Sequence, residues 1–299
     1  MSAVLDASGG AAPSRELFAS FARNRIALAS LIVLAAIALA AVLASVIAPQ
    51  NPYNLAELDI LDSKLPPGSQ SVAGKTFWLG TDDQGRDMLS GILYGLRISL
   101  GVGVVSTVIA LTLGLLIGLA AGYAGGWIDA TIMRLVDLQL SFPSILIALV
   151  LLAVLGQGVD KIVIALVTVQ WAYYARTVRS SAIVEKRKEY VDAARVMAYG
   201  TMRILYRHIL PNCLPPLIVV ATVQVAHAIA LEATLSFLGL GMPITSPSLG
   251  LLIANGYAHL LSGRYWISFF PGVALLVTIV VINLVGDHLR DVLNPRLQH

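Results

Sequence analysis

The sequence predicts an all-α integral membrane protein with six transmembrane helices, and three observations carry that expectation. Of its 299 residues, 57% are hydrophobic and only 12% charged, with a mean hydropathy of +0.81; a soluble domain carries about 25% charged residues. A chain so poor in charge cannot cover its own surface, so a bilayer must solvate much of it. The apolar residues also fall in long runs that do not alternate with polar ones, which excludes a transmembrane barrel. Finally, Lys and Arg gather ahead of the first run and between the fourth and fifth, as expected of cytoplasmic segments.

The runs justify themselves in order. The first, 26–48, would extend about 34 Å as a helix, enough to cross the hydrocarbon layer. Arg15, Arg23 and Arg25 precede it, and it exceeds the ~7–15 apolar residues of a signal-peptide core. It therefore reads as an uncleaved span behind a cytoplasmic tail, 1–25. The loop 49–96 carries Glu57, Asp59, Asp62, Asp82, Asp83 and Asp87 against Lys64, Lys75 and Arg86, and is placed outside. The second run is 98–121. Gly114, Gly118 and Gly122 recur on it every fourth residue, a spacing that lines one helix face with small residues and lets another backbone approach. The third is 138–155, with Pro143 predicting a local kink. The fourth, 162–175, is shorter and includes Gln170 and Trp171. The fifth is 214–238 and the sixth 267–285, followed by a cytoplasmic tail at 289–299. Six spans put both termini on the same side as the basic segment holding Arg176, Arg179, Lys186, Arg187, Lys188, Arg195, Arg203 and Arg207.

Several chemistries are excluded or disfavoured. A net charge of +3 gives no reason to expect nucleic acid. The lone Cys213 can form neither an internal disulfide nor a thiolate cluster and should pack as a small apolar residue. "GSQSVAGKT", 68–76, has five residues between Gly68 and Gly74, whereas a phosphate-binding loop needs four; it reads as an ordinary loop. "TDDQGRD", 81–87, lacks the alternating oxygen ligands of a calcium loop, so Thr81 or Asp82 is expected to cap a short helix through Arg86 and Leu89. The five His residues show no metal-ligand spacing. No metal and no catalytic residue is expected in this chain.

Polar residues inside the runs are costly and face a cavity or a partner. On the fifth, Gln224, His227 and Glu232 are candidates for a translocation path or for interhelical bonds. Gln224 and Glu232 lie about 80° apart, and His227 and Glu232 about 140°. Arg134 and Asp137, three apart, are expected to pair with each other.

The segment "EYVDAARVMAYGTMRILYRHILPN", 189–212, interrupts the oily chain with charge. Tyr190, Ala193, Ala194 and Met197 fall at helical spacing on one stripe, with Glu189, Asp192 and Arg195 on another face. Met202, Leu205, Tyr206 and Ile209 repeat the stripe, with Arg203 and Arg207 outside it. Gly200 is expected to stop the first helix, and Pro211 to end the second or start the next span. The two short helices would lie at the cytoplasmic face, where docking to a protein and resting on headgroups are equally compatible with the spacing.

The same stretch resembles the cytoplasmic loop of binding-protein-dependent ABC importer permeases. Asp192-Ala193-Ala194 stands where that family has Glu-Ala-Ala, Ala198 stands where it has Gly, and His208-Ile209-Leu210-Pro211-Asn212 matches the end of the motif. "LGTDDQGRDMLSGILYGLRISL" (79–100), "AGYAGGWIDATIMRLVD" (121–137), "LSFLGLG" (235–241) and "NLVGDHLRDVLNPR" (283–296, with Asn294 where Asp is frequent) resemble its dipeptide/oligopeptide/nickel branch. "FARNRIALASL" resembles that branch's extra first span.

The resemblance implies a type I importer permease fold with the permease domain at 97–288. It implies a second homologous permease subunit, two cytoplasmic ATPases that bind ATP and Mg, an external solute-binding protein, and a bacterial inner-membrane location. The substrate implied is a dipeptide or oligopeptide, with nickel, glutathione or another small solute as the alternative, and a stand-alone secondary transporter as the competing class. Glu189, Tyr190, Asp192, Ala193, Ala194, Arg195, Met197, Ala198, Gly200 and Arg203 would form the coupling helix region that engages an ATPase. Asp82, Asp83, Arg86 and Asp87, and the loop 239–264, would form the outer gate or meet the binding protein.

Overall fold

The computed structural model describes residues 23–54, 58–71 and 74–293. The predicted tails are thus described only at residues 23–25 and 289–293. Helix α1, Arg25–Val42, opens under Asn24, whose side chain accepts from the Ile26 and Ala27 amides. A break at Leu43 separates it from the single turn α2, Ala44–Ile47. The 49–96 loop adds a small antiparallel hairpin to the helices: β1, Ser69–Gln70, pairs with β2, Thr76–Phe77, in the register Ser69↔Phe77. The glycines of the phosphate-loop lookalike serve this hairpin, Gly68 bonding back to Phe77 and Gly74 to Ser71.

Helix α3, Met88–Ala124, has 37 residues. It is about 55 Å long, so it projects well beyond the predicted span on the outer side. Its N-cap is Asp87, which accepts from the Ser90 amide and hydroxyl at 2.8 and 2.6 Å, and not Thr81 or Asp82. The Asp82 carboxylate is occupied by its own turn and by Arg86, as described below.

The third predicted span departs most from expectation. Helices α4, Gly126–Leu140, and α5, Ser144–Leu155, meet at 87°. This is a near right-angle break, not a local kink. Pro143 has no N–H to donate and disfavours helical geometry at the residue before it, and the chain restarts as a helix at Ser144. Helix α6, Val159–Glu185, is far longer than the fourth predicted run, because its polar inner half remains helical without being apolar. Helix α7, Glu189–Val196, and the turn α8, Thr201–Ile204, follow. A π turn, Leu205–Ile209, leads into α9, Leu210–Phe237. The outer connection contains α10, Leu249–Tyr257, capped by Ser248. The last helix is α11, Trp266–Leu293. Among the described residues, four helices can cross a membrane by length and composition, α1, α3, the Thr201–Phe237 rod and α11, and five if the bent α4–α5 pair is one span.

The core lies where α3, α6 and α9 meet. One buried cluster joins Val102, Leu152, Ile162, Leu166, Leu231 and Leu235, and another joins Ala110, Tyr174, Val178, Ile204, Ile209, Cys213 and Leu217. The glycine stripe does what its spacing predicts. A Cβ on Gly114 would stand 2.6 Å from the Trp171 carbonyl oxygen, one on Gly118 2.4 Å from that of Ala175, and one on Gly122 3.0 Å from that of Arg179. The α3 and α6 backbones touch because nothing stands between them. Large apolar side chains such as Ile32, Leu39, Val108, Leu116, Leu276 and Val280 face outward. In water such a surface would aggregate; in a bilayer it is solvated.

Candidate functional site

The charged segment 189–212 forms one helix and the foot of another. The second predicted short helix is not separate: from Thr201 to Phe237 the chain is a single 37-residue helical rod. Pro211 does not stop it, because the π turn before it shifts the backbone register, with the Leu210 amide bonding to the Leu205 carbonyl. The carboxamide of Asn212 then donates to the His208 carbonyl at 2.8 Å, supplying a side-chain donor where the backbone ladder is interrupted.

Helix α7 ends in a Schellman turn. The Ala198 amide bonds the Arg195 carbonyl at 2.9 Å and the Tyr199 amide bonds that of Ala194 at 3.1 Å. This turn needs a left-handed residue after the cap, and that residue is Ala198, at φ +56. Gly200 lies at φ −62, ψ 149 as the N-cap of α8, a conformation open to any residue. The expected stop at Gly200 is therefore corrected to Ala198. The residue that departs from the family's glycine occupies the position where glycine is easiest.

The predicted stripe divides between two faces. Val191 and Ala194 are buried in the cluster with Ile204, Ile209 and Cys213. Ala193 and Tyr190 are exposed, and Val196, Met197 and Met202 are 88%, 62% and 68% exposed. One side of α7 is therefore seated on the membrane domain and the other presents unpartnered apolar side chains. Val196, the most exposed, lies outside the predicted stripe. Asp192 and Arg195 pair at 2.7 Å, and Arg203 lies over the Tyr199 ring, 4.7 Å from its centroid. Glu189 is exposed. The Tyr190 hydroxyl donates to Glu185 and accepts from Asn212 at 3.1 Å, pinning the start of α7 to the feet of α6 and α9. Burial, then the Glu185 carboxylate, pushes this phenol up to about 12, so it stays a neutral donor.

Two ion pairs strap α4 to α6 beside this segment. Asp129 is held bidentately by Arg179, at 2.8 and 2.5 Å. Asp137 pairs with Arg176 on the facing helix, not with Arg134 as the spacing suggested. An antiparallel neighbour offered a partner that sequence separation could not reveal.

The three span residues do not converge. Glu232 is fully buried and accepts from Ser99 and Ser236 at 2.7 and 2.8 Å, sealed inside the subunit. Gln224 is buried, and its main-chain carbonyl accepts from the Gln170 carboxamide at 3.1 Å. His227 alone is exposed.

In the 49–96 loop, Asp82, Arg86 and Asp87 are buried, so they shape the loop's surface without forming it. Asp82 accepts from the Gln84 and Arg86 amides at 2.9 Å and from Arg86 Nε at 2.7 Å. Burial pushes its carboxyl above the ordinary value, opposed by the Arg86 guanidinium. Arg86 also reaches the Ile244 carbonyl, at 3.3 Å, tying this knot to the 239–264 connection. Within that connection α10 was missed by sequence reasoning. At nine residues it is too short to register as a span, and its signal was Ser248 ahead of an apolar run. Gly250 lets it lie against α9, since a Cβ there would stand 2.1 Å from the Ala233 oxygen.

Residues 110–299 match the family described as binding-protein-dependent transport system inner membrane component. The chain belongs to that family. Residues 13–67 match the N-terminal transmembrane domain of oligopeptide transport permease C. This permease is 42% identical to the dipeptide transport system permease protein DppC of Escherichia coli K12 over 99% of its own length and 97% of the relative's. It is 38% identical to the di/tripeptide transport system permease protein DppC of Pseudomonas aeruginosa, covering 96% and 93%. Its fold is similar to the membrane chain of an inward-facing MetNI methionine ABC transporter, with a TM-score of 0.56 at 19% identity, over 69% of this chain and 98% of that one. The permease is thus a multi-pass inner-membrane component with the type I importer fold, and its relatives are non-catalytic subunits of binding-protein-dependent ABC importers.

Proposed function

We propose that the permease forms one half of the translocation path of an ATP-driven importer for dipeptides or short oligopeptides. A second, homologous permease supplies the other half. Two cytoplasmic ATPases bind ATP and Mg, and an external solute-binding protein delivers the peptide. The chain crosses the membrane six times, α6 and the α4–α5 pair each counting once, with both termini in the cytoplasm.

The observation that carries the coupling role is the two-faced α7. Val191 and Ala194 fix it to the membrane domain, while Val196, Met197 and Met202 stand clear of the fold. A seated helix with a free apolar edge fits a groove on another protein. Differential binding of that groove in two ATPase states is what would move the path. The peptide assignment is supported by the near-full-length similarity to dipeptide permeases. His227, exposed on α9, is the span residue assigned to face the path or the second permease.

Reconstituted transporter tests the coupling. Val196→Glu changes an exposed side chain, so the complex should still fold, while dipeptide-stimulated ATP hydrolysis and uptake fall together. Undiminished coupled uptake in this variant would remove α7 from the docking role. Ala194→Arg, by contrast, drives a charge into the subunit's own core and should impair folding.

A further inference from the structure

Between α7 and the membrane domain lies an open cleft of about 580 Å³, lined by Gly122, Gly125, Asp129, Arg179, Ile183, Lys186, Arg187, Asp192 and Arg195. Four cations and two carboxylates line it. Both carboxylates are already engaged, Asp129 by Arg179 and Asp192 by Arg195, which leaves Lys186 and Arg187 uncompensated.

Lys186 is held in place, its ammonium donating to the Tyr123 carbonyl and lying 5.0 Å from that ring's centroid, with donors to spare. Arg187 is exposed and makes no ion pair among the described residues. Gly125 has open space where a Cβ would go, so the wall it forms is free of side chains. The next residue of the basic run behaves differently: Lys188 lines another cleft and is neutralised by Glu185 at 2.7 Å. Val196, Met197 and Met202 do not line the basic cleft, so it is distinct from the apolar edge of α7.

We propose that this cleft binds a phosphate group, presented by an acidic phospholipid headgroup of the cytoplasmic leaflet or as free phosphate. The reasoning is electrostatic and geometric. Two unpaired cations beside a small-residue wall suit a compact polyoxygen anion, and the volume falls in the ~300–1,000 Å³ range of small-molecule sites. The cleft sits at the C-terminal ends of α3 and α6, which the topology proposed above places at the aqueous layer, a depth at which basic pockets between helices recognise lipid headgroups. The headgroup source rests on the inward orientation proposed above; the phosphate chemistry does not.

The assembled transporter, purified in detergent and stripped of lipid, is titrated with dihexanoyl phosphatidylglycerol, dihexanoyl phosphatidylcholine and inorganic phosphate, and binding is read by native mass spectrometry. The phosphatidylglycerol should bind and the zwitterionic lipid should not. Arg187→Gln should weaken binding about fivefold and Lys186→Gln/Arg187→Gln about 30-fold, while Lys188→Gln leaves it unchanged. Arg187 holds nothing else together, so its variant tests the site without testing the fold. Competition by inorganic phosphate, or binding of phosphate alone, also supports the site and in the second case places its source in solution. Equal phosphatidylglycerol binding by wild type and double variant overturns the proposal. So does the absence of any anion binding; if the double variant then also releases the ATPases, the cleft is a seat for a protein carboxylate. Labelling of Lys188→Cys by a membrane-impermeant maleimide in right-side-out vesicles reports orientation separately.

Discussion

Replacing Ala198 with glycine should tighten the end of α7. In the Schellman turn Ala198 holds φ +56, where the Cβ of an L-residue presses on its own carbonyl at a cost of about 1–2 kcal/mol. Glycine removes that contact but adds freedom to the open chain, which offsets about 0.4–1 kcal/mol. The net local gain is about 1 kcal/mol, and both native bonds of the turn, Ala198 to Arg195 and Tyr199 to Ala194, are retained. At tenfold per 1.4 kcal/mol, opening of the turn should become about fivefold rarer. Hydrogen exchange of the amides at positions 198 and 199 reads this directly, because it reports local opening. The companion change, Gly200→Ala, should leave those amides as protected as before, since Gly200 has ordinary φ and open space where a Cβ would go. Unchanged or faster exchange in Ala198→Gly, with loss of protection in Gly200→Ala, would show that the helix stops at Gly200 and that the strain argument is wrong.

Gly118→Ala places a methyl 2.4 Å from the Ala175 oxygen, so α3 and α6 must part; a loss of about 1–3 kcal/mol should appear as a lower unfolding temperature in detergent. Arg86→Met strips the buried Asp82 of its cation, which should cost about 3–5 kcal/mol and expose residues 59–87 to protease, whereas adding Asp82→Asn should restore part of the resistance. Glu232→Ala leaves the Ser99 and Ser236 hydroxyls without their acceptor; stability should fall by about 1–3 kcal/mol, and uptake of all accepted peptides should fall in parallel. A change in peptide preference would instead place Glu232 on the path.

The sequence revealed most where one physical quantity dominates. Five of the six apolar runs carry a helix through most of their length, because burial in lipid needs little beyond length and apolarity. The Gly114–Gly118–Gly122 stripe was legible because small residues at that spacing have few other uses. Proline was underread at Pro143 and half read at Pro211, which stands in the first turn of α9 as the start of the next span but ends no helix before it. At Pro143 it ends a helix outright, while at Pro211 a preceding π turn absorbs it, and nothing local to either proline distinguishes the two. In α7 the spacing marked an apolar stripe, but both sides of the helix are apolar. Which side is free depends on Ile204, Ile209 and Cys213, residues brought beneath Val191 and Ala194 only by folding. The carboxylates of the 49–96 loop misled for a related reason: Asp82 and Asp87 lie in the interior, where Arg86 and backbone amides hold Asp82 and Ser90 holds one oxygen of Asp87.

The 37-residue rod that follows α7 has a mechanical consequence. Its foot contains the π turn and three prolines, Pro211, Pro215 and Pro216, whereas residues 217–237 contain neither proline nor glycine. Compliance is therefore concentrated at the end where α7 is seated, and stiffness in the shaft above it. Thrust delivered to α7 would flex the foot first and then swing the shaft as a rigid boom. Its far end carries Glu232, hydrogen-bonded to Ser99 on α3, and Ala233, against which α10 rests. A movement at the α7 end would thus reach the far end of the rod as a change in how α3, α9 and α10 meet.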